Sequence, residues 1–422
     1  MDRTIAPSIK PLKDFDLQQA EKIVLSNGIH LYAIDSGEQP LVRLEVVFEA
    51  GTKYESKPGV SFITSKMLQE GTRHFTAAEI QEKIAALGAF MEVHHGAERI
   101  NYTFYLLTKY LDEFLVILEE MLLRPTFPRE NFESTINIAL NNIRVNIQKN
   151  SVLASQEFKK LLYGEKHSYG YSVQEEDLNV ITLYDVTNHF YTHMLASDFE
   201  VFVAGMIDPT TMERLQRFFE GIGNAKKPRL RMDDHGMVKN QRILVAKPEA
   251  LQSSIRIGKV LFNRAHEDYF SAFIANEILG GYFGSRLMRN IREEKGLTYG
   301  ISSQLVSQED SGYFVIGTDV KRENTQLALD EIYKEVEVIK NEPISTEELE
   351  TVTSYMHGSY LGSINSAFAI MDKFKTLHYA GLAYTYYTDY IHTLRTITAV
   401  QVQDVASKYF SDLNEVVVGD YQ

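Results

Sequence analysis

The residues best suited by type and spacing to do chemistry lie between Leu279 and Tyr299, in LGGYFGSRLMRNIREEKGLTY. Gly280, Gly281 and Gly284 permit a sharp backbone bend, after which Ser285 is placed to cap a helix carrying Arg286, Met288 and Arg292. A phosphate-cradling reading needs a preceding strand and P-loop or dinucleotide spacing, and the segment has neither. Two histidine pairs are the other candidates. His189 and His193 stand four apart in HFYTH, but Val186 and Phe190 mark their face as apolar and no carboxylate joins them, which favours structural histidines. His94 and His95 are adjacent, so on a strand they point to opposite faces and cannot grip one ion together, although Glu92 and Glu98 flank them. The absence of cysteine removes disulfides, thiolate zinc sites, iron–sulfur clusters and cysteine nucleophiles. With 57 Asp and Glu against 43 Lys and Arg the net charge is −14, which repels a nucleic-acid backbone on average.

The elements that must position these residues follow from local pattern. KIVLS and IHLYAI alternate around Asn27-Gly28, which predicts a hairpin with a type I′ turn, and a third strand is expected over 41–49. A helix is expected over 59–70. A second is announced by a capping box at Thr76 and Glu79, with Ile80, Ile84 and Leu87 at helical spacing and Gly88 closing it. Strands over 89–93 and 99–107 lead to helices over 111–123 and 128–148. A helix over 182–194, a strand over 199–204 and a helix over 209–219 complete this half. Strands over 242–246 and 253–262, a helix over 268–279, strands near 298–305 and 312–318 and a helical run make up the second. The acidic stretch Glu342 to Glu350 reads as a helix start favoured by its dipole. Tyr379, Tyr384, Tyr386 and Tyr387 invite an aromatic-cage reading, and packing of a helix on a core explains them more simply.

At 422 residues the chain has length for two domains. ITLYDVTNHFYTHMLASDFEVFVAG from Ile181 matches ITAVQVQDVASKYFSDLNEVVVGD from Ile397, and PRENFEST from Pro128 shares a helix-entry pattern with STEELETV from Ser345, both at an offset of roughly 216 residues. Two matches at one offset indicate a duplication. Residues 1–220 and 242–422 are therefore read as two copies of one α+β domain, each a mostly antiparallel sheet with helices on one face, joined by a linker over 221–241. No stretch approaches the roughly 18 apolar residues of a membrane span. The first residues lack the apolar core of a secretory signal, so the chain is expected to be cytoplasmic, or periplasmic if a signal has been removed.

The order Gly-Gly, Ser-Arg-Leu, Ile-Arg-Glu, Gly-Leu and Tyr in the segment ending at Tyr299 resembles the second-domain signature of the M16 zinc proteases, the family of insulinase, pitrilysin and mitochondrial processing peptidase. The resemblance implies the LuxS/MPP-like metallohydrolase fold and extends from about Gln18 to the C-terminus. It also implies that Arg292 and Tyr299 reach across into the active site of another domain, with Gly281 beside substrate. Gly51 to Thr72, GTKYESKPGVSFITSKMLQEGT, is similar to the family segment that carries H-x-x-E-H. Aligning Gly59, Met67-Leu68 and Gly71-Thr72 sets Phe62 and Lys66 where the family has metal-binding histidines, and Ser65 where it has the water-activating glutamate. The third ligand, a glutamate, corresponds to Ile138 to Asn146, a stretch with no carboxylate.

H-x-x-E-H works because positions i, i+3 and i+4 share one helix face. Phe62, Ser65 and Lys66 supply no metal ligand and no base, so no zinc is expected in this chain. Family members enclose peptides in a chamber of four such domains, and 422 residues supply half of one. The resemblance thus implies the non-catalytic subunit of a heterodimeric metallopeptidase, inactive alone, with zinc and H-x-x-E-H on a partner chain and unstructured peptides as substrates. Strand addition along Phe90 to His95 is a further family feature, weakened here by Met91, His94 and His95. The alternative is a structural or peptide-binding scaffold, like the core proteins of respiratory complexes, in which Arg292 and Tyr299 only pack. A homodimer of the isolated chain is a third arrangement.

Overall fold

The computed structural model describes residues 17–195, 199–223 and 240–420. The first half builds one sheet from β1 (Glu21–Val24), β2 (His30–Asp35), β3 (Leu41–Phe48), β4 (Phe90–His95), β5 (Ile100–Leu107) and β6 (Phe199–Gly205), in the order β1-β2-β6-β3-β5-β4. The second half builds another from β7 (Arg242–Ala246), β8 (Gln252–Leu261), β9 (Ile301–Ser307), β10 (Gly312–Lys321) and β11 (Asn414–Gly419), in the order β7-β11-β8-β10-β9. Setting β1 aside, the two orders correspond strand for strand. In each sheet one pair is parallel, β2 with β6 and β7 with β11, and the other neighbours are antiparallel. The architecture is α+β with the repeat that the sequence carries. Most of the expected linker lies outside the described residues.

The hairpin at Asn27-Gly28 forms, but not through a type I′ turn. Gly28 has φ 88°, Asn27 keeps a negative φ, and the Leu25 N–H donates to the Ile29 carbonyl, so the loop is a three-residue turn with glycine in the left-handed position. The Asn27 amide is used elsewhere: it donates to the carbonyls of Phe219 and Ile222, both at 2.7 Å, and ties the hairpin to the end of a helix.

The helices of the first half are α1 (Val60–Met67), α2 (Ala77–Ala86), α3 (Leu111–Leu123), α4 (Arg129–Ile147), α5 (Asn150–Tyr163), α6 (Glu175–Asn179), α7 (Leu183–His189) and α8 (Pro209–Glu220). Those of the second are α9 (Tyr269–Asn276), α10 (Thr325–Asn341), α11 (Thr346–Gly362), α12 (Ala367–Ala380), α13 (Thr385–Thr396) and α14 (Ala399–Tyr409). The Thr76–Glu79 capping box opens α2, and Gly88 follows it with φ 62°. Two of the expected helices end early in π-helical turns, Phe190–Leu195 after α7 and Glu277–Gly281 after α9. A third π-helical turn, Met288–Glu294, carries Arg292. Such turns recur at functional sites. Among the described residues no helix is long and apolar enough to cross a membrane.

Each half packs its own helices on one face of its sheet, as expected, and the other face is covered by a helix from the opposite half. On β3, Val42, Leu44, Val46 and Phe48 face the first half's own helices. The alternate residues Arg43, Glu45 and Val47 face α12, which comes from the second half and buries Ala367, Met371 and Phe374 against Tyr32, Ile34, Phe202 and Ala204. In return α5 leaves the first half and buries Ala154, Phe158, Leu161 and Leu162 against Val416 and Val418 of β11. The exchange is pinned by charge. Arg43 makes a two-pronged contact with Asp372 at 2.8 and 3.1 Å and also meets Glu45 at 2.8 Å, while Lys375 donates to Glu45. Arg99 pairs with Glu309, and Lys53 with Asp310, each at 2.8 Å.

Candidate functional site

Helix α1 begins at Gly59, whose φ of 91° and whose crowding against Leu178, 2.9 Å from where a Cβ would stand, leave room for no side chain. Val60, Ile63 and Met67 bury one face. Phe62 packs edge-on to His95 of β4 with ring centres 5.6 Å apart, and the Lys66 ammonium lies 5.7 Å over the Phe62 ring. The Ser65 hydroxyl donates to the Phe62 carbonyl at 2.7 Å, and the Ser65 carbonyl accepts from Tyr102 at 2.8 Å. An aromatic ring, a hydroxyl committed to the backbone and an ammonium do not fit a zinc ion. The neighbouring stretch Ile138 to Asn146, on α4, exposes Ile138 and Val145 and offers no carboxylate.

Sequence reasoning missed the group beneath this face. Ser61, fully buried, donates to Glu55 at 2.7 Å and stands 2.7 Å from Nε2 of His95, so the imidazole is the donor to the serine oxygen. Glu55 orients the serine and not the imidazole, and the buried hydroxyl meets no solvent, which is not the arrangement of a nucleophilic triad. Burial, and then the charge of Lys66, hold His95 down to about 4 from an ordinary 6.5. A histidine with a depressed folded pKa binds protons more weakly folded than unfolded. Acidification from about pH 6.5 to about pH 4 therefore destabilises the fold, by roughly 3 kcal/mol from this residue. Urea unfolding at about pH 7 and pH 5 checks it: His95→Gln is expected to lose less stability between the two than the parent.

In the second half, the buried residues Leu297 and Ile301 flank Tyr299 in sequence, and Thr298 is pinned to β10 by donating to the Asp319 carbonyl at 2.7 Å. The tyrosine between them is driven outward to 96% exposure. It is neither on β9 nor facing the core, and it lines a groove of about 570 Å³ with Lys159, Arg256 and Asp319. Arg292 stands on a braced turn: Asn290 donates to Glu331 and Glu335 at 2.9 and 2.6 Å, and Arg286 grips Glu348 at 2.9 and 2.7 Å. Arg292 itself forms no ion pair among the described residues and lies 4.8 Å over the exposed ring of Phe283. Ser285 caps through its carbonyl, which accepts from the Arg289 N–H, and not through its hydroxyl, which is buried with no hydrogen bond among the described residues. Gly281 lies under the Glu277 carboxylate, in a different cavity from Tyr299.

Family comparison decides what these features belong to. A model described as "Insulinase (Peptidase family M16)" matches residues 32–175, and one described as "Peptidase M16 inactive domain" matches residues 181–355. The chain belongs to peptidase family M16. Among M16 relatives it is 24% identical over 372 residues to an uncharacterized zinc protease, YmxG, of Bacillus subtilis, covering 86% of this chain and 87% of that one. It is 23% identical over 359 residues to a protein of Helicobacter pylori described as a non-peptidase homolog, covering 82% and 79%. Its fold matches a peptidase M16 inactive domain from Pseudomonas fluorescens with TM-score 0.86 at 23% identity, over 95% of this chain and 98% of that one. A protease from Helicobacter pylori gives TM-score 0.84 at 16% identity, over 95% and 99%. No H-x-x-E-H occurs anywhere in this M16 chain.

The histidine pairs take the places expected of them. His189 bonds the Ala50 carbonyl at 2.8 Å and packs on His193 with ring centres 4.9 Å apart, although the π-helical turn and not a continuous helix joins them. His94 is exposed on edge strand β4 while His95 turns inward. Among the described residues no three His, Asp or Glu side chains gather as a metal site.

Proposed function

We propose that this chain is the non-catalytic subunit of a two-chain M16 peptidase, completing the peptide chamber and lending Arg292 and Tyr299 to a partner that carries H-x-x-E-H and zinc. The observation that carries this reading is the placement of Tyr299: a phenol held almost fully in solvent on a turn braced by Leu297, Thr298 and Ile301 is a poor packing residue and a well-presented donor. Among the described residues the arginine likewise has no carboxylate to neutralise it. Zinc in the partner supplies the activated water. Attack on a peptide carbonyl builds negative charge on its oxygen, and a positioned hydroxyl aimed there stabilises the transition state more than the ground state. Tyr299 takes that role, and Arg292 clamps the substrate backbone.

The test is to mix the purified chain with its H-x-x-E-H partner and assay an unstructured peptide. Stimulated cleavage supports the peptidase subunit; assembly with no stimulation would point instead to a scaffold.

A further inference from the structure

A cavity of about 480 Å³ opens among α9, α11, α12 and α13, with none of its lining residues on α1 or in the groove of Tyr299. Its size is that of a small-molecule site. Its walls are aromatic, with Tyr269 and Phe273 from α9, Tyr360 from α11, and Tyr386, Tyr387 and Tyr390 from α13. Tyr360 stacks on Tyr387 at 5.3 Å and meets Tyr390 edge-on at 5.8 Å, so the wall is already packed into shape. The hydroxyls of Tyr269, Tyr386 and Tyr390 have no protein hydrogen-bond partner among the described residues.

Charges of both signs line this cavity, Glu277 on one hand and Arg264 and Lys373 on the other. Glu277, buried to 9% exposure, makes no side-chain hydrogen bond or ion pair among the described residues. A Cβ on Gly281 would fall 2.3 Å from its Oε1, so the glycine is the seat on which this carboxyl rests. Burial pushes the carboxyl up to about 7, and Arg264 and Lys373 line the same cavity. Burial and then the charge of Arg264 depress Lys373, partly offset by the adjacent Asp372, which Arg43 engages; among the described residues neither cation forms an ion pair. Arg264 leans on Tyr269 at 5.9 Å and Lys373 on Tyr360 at 5.7 Å. An unpaired buried acid and two mutually repelling cations are costly to hold in one aromatic cavity. A ligand with an ammonium at one end and a carboxylate at the other relieves both.

We propose that this cavity binds a small zwitterion with an apolar body, of dipeptide size, its ammonium on Glu277 and its carboxylate between Arg264 and Lys373. Calorimetric titration of the full chain alone with the dipeptide Leu-Phe, its N-acetyl form and its C-terminal amide tests it. The free dipeptide is expected to bind, and each capped form to bind roughly tenfold or more weakly, the range of one charge-assisted hydrogen bond. Glu277→Gln and Lys373→Met are expected to weaken the free dipeptide by a similar factor. No binding at about 1 mM, equal binding of the capped forms, or full affinity in both variants would overturn the assignment. Where a variant melts early, the capped series on the unaltered protein decides alone. The measurement needs neither partner chain nor turnover, so its failure leaves the peptidase reading standing.

Discussion

Tyr299→Phe is expected to lower turnover by the assembled two-chain peptidase by about 10² to 10³-fold, the usual effect of losing one donor to a developing oxyanion. The substitution removes a single hydroxyl from a ring that is 96% exposed. It takes nothing from the core, and Thr298 still holds the turn to β10. Melting temperature, assembly and zinc content of the complex should therefore match the parent, and the loss should fall in kcat with KM little changed, because the donor acts on charge that exists only in the transition state. Wild-type turnover in the variant would sink the idea that this subunit reaches its partner's active site.

Phe374→Ala is expected to destabilise the chain by about 3–5 kcal/mol, the cost of deleting a buried aromatic ring. Phe374 is 8% exposed and lies 5.1 Å from the ring of Tyr32 and 6.2 Å from that of Phe202, so the cavity it leaves opens at the seam between the halves. That location makes the shape of the transition as informative as its midpoint. The parent should unfold in one step. The variant, with α12 loosened from the first sheet, should unfold in two, resolved by calorimetry or by urea melts followed with two probes. A single step displaced by the same amount would show that the charges at Arg43, Glu45, Asp372 and Lys375 hold the halves together without the ring.

Much of the fold was legible because its signals are local. Capping at Thr76 and Glu79, alternation in β3 and the paired segments at Ile181 and Ile397 each report on a few neighbouring residues. α5 was not anticipated, although Ala154, Phe158, Leu161 and Leu162 recur at i, i+4, i+7 and i+8. Even with that spacing noticed, nothing in it says that the apolar stripe docks on the other half's sheet, since docking is a long-range choice. The departures at Phe62, Ser65 and Lys66 were legible as chemistry, because residue type alone rules out ligation. The exposure of Tyr299 was not: alternation through Leu297 and Ile301 is equally compatible with an inward tyrosine, and the outward turn depends on Thr298 reaching β10. Glu277 reads in sequence as one acid in an apolar helix, and only the assembled tyrosines around it give it a role.

The reciprocal covering of the two sheets sets how this protein can move. A hinge between the halves would have to strip Met371 and Phe374 from one sheet and Phe158 and Leu162 from the other at the same instant, while parting Arg43 from Asp372. No single soft joint can absorb that. The two halves are therefore expected to move as one body, and in the two-chain peptidase proposed above a gate wide enough to admit a peptide would open along the outer boundary of this chain.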